Sequence, residues 1–166
     1  MITIRTIQAN DAQDFLALCK RLDEETQFMM LEAGERTTTR AEQQKIIQNM
    51  LAKENQTILV AESEGTLVGH LTALGGSYHR NQHSAYLITG ILQAFTGQGL
   101  GRRLFTEIEQ WGRAHGIHRL ELTVMKHNER AIARYKQMGF EIEGTKKHSL
   151  CISGVYIDEY YMGKLL

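Results

Sequence analysis

The stretch "FTGQGLGRRL", residues 95–104, sets Gly97, Gly99 and Gly101 at every second position, adds Arg102 and Arg103, and runs straight into an apolar helical pattern. A strand that ends, a glycine-rich turn and a helix N-terminus together make an anion site. Unpaired backbone N–H groups converge there, the helix dipole adds roughly half a positive charge, and glycine lets a phosphate come close. A tight connection that only needs a positive φ is usually served by one glycine. Three in alternation, with arginine behind them, favour the phosphate reading.

Outward from this turn, the order of elements defines the fold. SAYLITGIL (84–92) before it reads as a strand, and Leu100, Leu104, Ile108 and Trp111 after it mark a helix from Gly99 to about His115. RLELTV (119–124) follows as a strand with Leu120, Leu122 and Val124 on one face, so this strand, helix, strand unit predicts parallel pairing. Upstream, TILVAE (57–62) and TLVGHLTAL (66–74) flank Ser63-Glu64-Gly65, a hairpin turn. ITIRTI (2–7) alternates as a strand. Asn10 with Gln13 resembles a capping box for a helix carrying Phe15, Leu18, Cys19 and Leu22, and Thr39 with Glu42 offers a cleaner one before Ile46, Ile47, Met50 and Leu51. Downstream, Asn128 can cap a last helix bearing Ala131, Ile132, Tyr135 and Met138, and Gly139 stands where a left-handed C-cap belongs. Strands at about 140–147 and 154–164 close the chain. The fold class is α/β of mixed (α+β) type: about seven mostly antiparallel strands with helices on both faces, in one domain spanning residues 1–166.

The 166 residues carry 19 Lys+Arg against 19 Asp+Glu, so there is no broad positive field for nucleic acid or anionic lipid. Any anion site is local. No window approaches the roughly 18 unbroken apolar residues of a membrane span, and no secretory pattern opens the chain, which makes the cytoplasm the expected address. Cys19 and Cys151 are too few and too far apart for a disulfide framework or a metal knuckle. His79 and His83, four apart, lie beyond Gly75-Gly76-Ser77 in what reads as a hairpin loop without a third ligand, so no metal is expected. A P-loop would need Gly-Lys-Ser/Thr, which is absent. A dinucleotide fingerprint fails because Arg102 takes the third glycine's place and an antiparallel meander precedes the turn.

The same residues resemble a family. "FTGQGLGRRL" is similar to the acyl-CoA motif of the GNAT superfamily of N-acetyltransferases, Gln/Arg-x-x-Gly-x-Gly/Ala. "NERAIARYKQMGF" (128–140) is similar to that superfamily's later helix, with asparagine, tyrosine seven residues on, and Gly-Phe opening a strand. The resemblance implies that Gly97, Gln98, Gly99, Leu100, Gly101 and Arg102 hold the pyrophosphate of acetyl-CoA through backbone amides. It implies that Thr89, Gly90 and Ile91 bond the pantetheine arm like an added strand, that Asn128 touches the cofactor, and that Tyr135 stands beside the thioester sulfur as general acid. A backbone N–H near Ile91 is the expected oxyanion donor. The implied activity is acetyl transfer from acetyl-CoA, without a metal, to a primary amine of a small molecule or a protein N-terminus. The superfamily's habit also implies a homodimer through a sheet edge or the C-terminal strands. An acyl-CoA-sensing module without turnover and a nucleotide-binding protein are the alternative readings.

The chain departs from the pattern in three places. Thr96 stands where the motif usually begins with Gln or Arg. No carboxylate lies from Ser84 to Thr96, where many relatives keep a glutamate base. Thr123 takes the place, five before the asparagine, where ribosomal-protein acetyltransferases carry one. Glu121, His83 and His127 remain candidates for the base, with an exposed edge glutamate and solvated loop histidines as the plain alternatives. Acceptor recognition is expected from about Glu24 to Arg40, which holds Phe28, Met29, Glu32 and Glu35, and from the hairpin between His148 and Tyr156.

Overall fold

The computed structural model describes residues 1–166. Strands β1 (Ile2–Thr6), β2 (Gln56–Ser63), β3 (Thr66–Gly75), β4 (Ser84–Ile91), β5 (Arg119–Met125), β6 (Glu141–Ile152) and β7 (Val155–Leu165) form one sheet in the order β1-β2-β3-β4-β5-β7-β6. Every neighbouring pair is antiparallel except β4 and β5. The parallel pair brackets the helix that follows the glycine turn, as the strand, helix, strand order requires.

Helices α1 (Ala12–Glu25) and α2 (Arg40–Leu51) cover β2 and β3 from one side. α3 (Leu100–Ala114) and α4 (Glu129–Gln137) lie on the other. Two adjacent residues of β4 show the division, because successive side chains point to opposite faces. A Cβ on Gly90 would meet Leu22 of α1 at 2.7 Å, whereas Ile91 reaches Gly101 of α3. α4 joins the α3 side through the rings of Tyr135, Phe105 and Phe140, 5.7 to 6.0 Å apart. The core runs between sheet and helices from Ile7 to Met162 and includes the fully buried Leu71, Leu104, Ile108 and Leu120.

Local signals explain most element ends. Thr39 and Glu42 close their capping box in both directions at the start of α2. Glu64 and Gly65 both take positive φ (49° and 76°), the conformation a two-residue hairpin turn demands. Asn128 caps α4, and Gly139 follows it at φ 92°. One expectation fails: Asn10 with Gln13 is not the cap before α1. A short 3-10 turn, Ala9–Asp11, precedes the helix, and Asp11 accepts the Gln8 N–H at 2.7 Å while gripping the guanidinium of Arg5. The Arg5 guanidinium holds the Asp11 carboxyl below its usual range, and the Gln8–Asp11 pair occupies the capping place. The first closing strand is also longer than expected. Register shifts let β6 continue past Lys146 to Ile152.

No helix is long and apolar enough to cross a membrane.

Candidate active site

β4 and β5 begin zipped and then part. Pairing covers only Ser84↔Arg119, Ala85↔Leu120 and Tyr86↔Glu121, after which the facing edges of 87–91 and 122–125 carry no ladder. The Tyr86 and Thr123 hydroxyls, 2.7 Å apart, bridge the strands just beyond the last pair. The result is a V whose mouth opens toward the glycine turn.

At that mouth Gly97 and Gly99 hold φ of 75° and 76°, left-handed values that glycine adopts without strain. The first inward-turning amide of the next helix to find a backbone acceptor is that of Arg103, bonded to the Gly99 carbonyl. The N–H groups of Gly97, Gln98, Gly99, Leu100, Gly101 and Arg102 have no acceptor within the protein. A Cβ on Gly99 would meet nothing within 4 Å, so space stands above these donors. Arg130 adds charge: one of its guanidinium nitrogens lies 3.9 Å from where a Cβ on Gly97 would sit, and it forms no ion pair. Arg130 was not singled out in the sequence. The signal was its place two residues after the Asn128 cap, in the first turn of a helix that faces the loop. Unpaired amides, a helix N-terminus and a free guanidinium form a cradle for a diphosphate.

The other candidates divide by position. Asn128 accepts from the Ala131 N–H through Oδ1, leaving its Nδ2 without a protein partner. Thr89 gives its hydroxyl to the His70 carbonyl, so only its backbone faces the gap. Gly90 has a packing reason to be glycine in the Leu22 contact. Tyr135 is half-buried between Phe105 and Phe140 and its hydroxyl has no partner; burial pushes its phenol up to about 12, Arg134 opposing and Tyr86 adding a little. A phenol so shifted is fully protonated at neutral pH and is a proton donor.

The three candidate bases fall in different places. His83 sits at the zipped end, its carbonyl taken by His118 and Arg119, about 26 Å of strand away from Ile91. Glu121 is not an edge residue: β5 lies between β4 and β7, and Arg119 Nε binds the Glu121 carboxylate at 2.9 Å while the same guanidinium holds Glu143. His127 is at the mouth, its ring 5.1 Å from that of Phe28 in the 26–39 loop. It lines a cleft of about 410 Å³ with Lys126, His148, Tyr156, Ile157 and Asp158. The two segments expected to meet the acceptor therefore converge there. Their loop is tied down by a contact that no local pattern announces, Arg36 gripping the buried Asp23 at 2.8 and 3.1 Å.

Comparisons place this architecture among known proteins. Residues 18–140 match the model of the "Acetyltransferase (GNAT) family". An L-amino acid N-acetyltransferase of Escherichia coli is 37% identical over 111 residues, 64% of this chain and 67% of the relative. Over the curated relatives that match, the chain spans 51 to 68% of their length. A solved GNAT-family acetyltransferase from Streptococcus pneumoniae superimposes over 100% of both chains with a TM-score of 0.96 and 31% identity. A phosphinothricin acetyltransferase from Sinorhizobium meliloti, solved in complex with acetyl-CoA, shares the fold at TM-score 0.86 and 19% identity, over 99% of this chain and 88% of its own.

Proposed function

From the premise that this chain belongs to the GNAT acetyltransferase family, we propose that it transfers an acetyl group from acetyl-CoA to the primary amine of a small molecule or a protein N-terminus. One observation carries the reading: the run of unsatisfied amides from Gly97 to Arg102 opens onto the unzipped edges of β4 and β5. A CoA pyrophosphate would occupy the cradle, with Arg130 beside it. The pantetheine arm would add a short strand along 89–91, and Asn128 Nδ2 would reach it from the α4 side. Acetyl-CoA supplies an activated thioester. The chain's own part is to hold the acetyl carbon where the amine can attack, offer a strand N–H near Ile91 to the oxyanion, and protonate the departing thiolate from Tyr135.

The acceptor approaches from the cleft at His127, His148 and Tyr156, under Phe28. The likeness to an enzyme named for L-amino acids supports a small acceptor, while the open cleft leaves room for a peptide terminus.

Calorimetric titration with acetyl-CoA, CoA and ATP tests the cofactor. Both CoA species should bind and ATP should not compete. Thiol release over a panel of L-amino acids, spermidine and an alanine-leading tetrapeptide then tests transfer. Tyr135→Phe should lower turnover by about 10²–10⁴-fold while leaving acetyl-CoA affinity unchanged. Absence of binding by either CoA species removes the proposal.

A further inference from the structure

We infer that Glu159 of β7 is the carboxylate that takes the proton from the acceptor amine. This deepens the acetyl-transfer reading and rests on it. β4 offers no carboxylate between Ser84 and Ile91, and Thr123 stands on β5 where a glutamate is expected.

Register places Glu159 on the required face. On β5, Leu120, Leu122 and Val124 are buried in the core, so Thr123 points to the opposite side. The pairs Thr123↔Tyr161 and Met125↔Glu159 put Glu159 on the Thr123 side, one step nearer the mouth of the V. Tyr86 shares that side through its bond to Thr123. α1 and α2 cover β2 and β3 rather than this half of the sheet, so the acceptor meets the face directly.

Glu159 is only 5% exposed, a costly situation for a carboxylate unless it is held. Its Oε1 accepts the Ser149 hydroxyl at 2.8 Å and lies 3.7 Å from the Lys146 ammonium. Its Oε2 has no partner. The one sealed and unsatisfied side-chain atom of the protein is His70 Nε2, so Glu159 Oε2 keeps contact with solvent. One oxygen is thus anchored and the other presented.

The charged neighbours are few. From β6 comes Lys146, also 5.6 Å from the Tyr161 ring. From β5 comes the apolar Met125, and just past its end Lys126, over the Tyr160 ring. On β7, Asp158 is spent on the His148 N–H. Arg119, Glu121 and Glu143 form their own cluster toward the zipped end.

The step balances. The ammonium gives one proton to Glu159, directly or through one water, and the freed lone pair forms the N–C bond as the C–S bond breaks. Tyr135 protonates the thiolate and regains a proton from the new amide nitrogen. Glu159 releases its proton to solvent through Oε2. The sum is ammonium plus acetyl-CoA giving amide, CoA thiol and one proton.

The test follows kcat/KM against pH for the wild-type chain and Glu159→Gln, using the panel amine turned over fastest. Glutamine still accepts the Ser149 hydroxyl, so the melting temperature and acetyl-CoA affinity should hold. Below the amine's own pKa the variant should lose about 10²-fold or more in kcat/KM, and the gap should close at pH values above it, where the amine arrives neutral. A variant within twofold of wild type at every pH overturns the assignment and leaves acetyl transfer standing; a wild-type chain inactive on the whole panel sinks both. Should Glu159→Gln fail to fold, Glu159→Asp decides. Slower turnover with the wild-type pH dependence supports the base, and unchanged turnover refutes it.

Discussion

The two halves of the sheet are built to different rules. β2 and β3 have helices on both faces and read as continuous buried runs: five successive residues, Thr57 to Ala61, are sealed in β2. β5 alternates buried and half-buried residues, one face sealed and the other open, and β6 has no buried residue along its length. The enclosed half is held by packing, which fixes positions but leaves no room for a ligand. The half-covered one is held more by its ladders and ion pairs, and it carries the open face on which Tyr86, Thr123 and Glu159 gather. The seam between the halves is where the proposed site lies.

Truncation is the strongest way to break this contrast. Leu71 of β3 is fully buried and Ile142 of β6 is 39% exposed. Leu71→Ala should cost ~2–5 kcal/mol in urea unfolding, transfer and cavity terms together, and Ile142→Ala under about 0.5 kcal/mol. Equal losses would mean that the halves are packed alike.

Acid sharpens it next. His70, in the enclosed half against Phe15, is pushed down to about 4 by burial and, less, by Arg36. Unfolded, it titrates near the ordinary 6.5, so between those values the unfolded chain binds a proton that the native chain refuses. Stability is therefore whole above about pH 6.5 and falls as pH drops toward 4, by up to ~3 kcal/mol. Denaturation of His70→Leu at pH 7 and 4.5 should show that slope gone. The lowered carboxylates Asp11 and Glu143 lose their contribution only at pH values below their ordinary range, a separate window.

The smallest effect belongs to the outer half. Glu143 is an exposed partner of Arg119, and Glu143→Gln should cost at most about 1 kcal/mol at low salt and nothing measurable in high salt. A larger, salt-independent loss would put that half on the same footing as the core.

Much of this arrangement could be read from residues close in sequence. The glycine turn, the Thr39 and Asn128 caps and the Glu64-Gly65 hairpin each act within four residues, and each stands where its pattern placed it. What the sequence hid depends on long-range register. Arg36 finds Asp23 across a loop, Ser149 finds Glu159 across a hairpin with a register shift, and Glu121 becomes an interior strand residue because β7 inserts beside β5 before β6. The misplaced cap before α1 has a local origin instead. Asp11 accepts from Arg5, six residues back, and from the Gln8 N–H, three back, so a neighbouring short-range pair takes the place that the Asn10-Gln13 spacing suggests.

The brevity of the β4–β5 ladder also bears on how the molecule breathes. Three residue pairs, the His83 carbonyl bonds and one hydroxyl bridge are all that tie β4 to β5 along the sheet. Amide hydrogens should accordingly exchange in two classes, with β5 to β7 opening at lower free energy than β2 and β3. A ligand lying along 87–91 and reaching toward β5 would act as a clasp. Deuterium uptake in the outer half would then slow on binding, even at residues the ligand never touches.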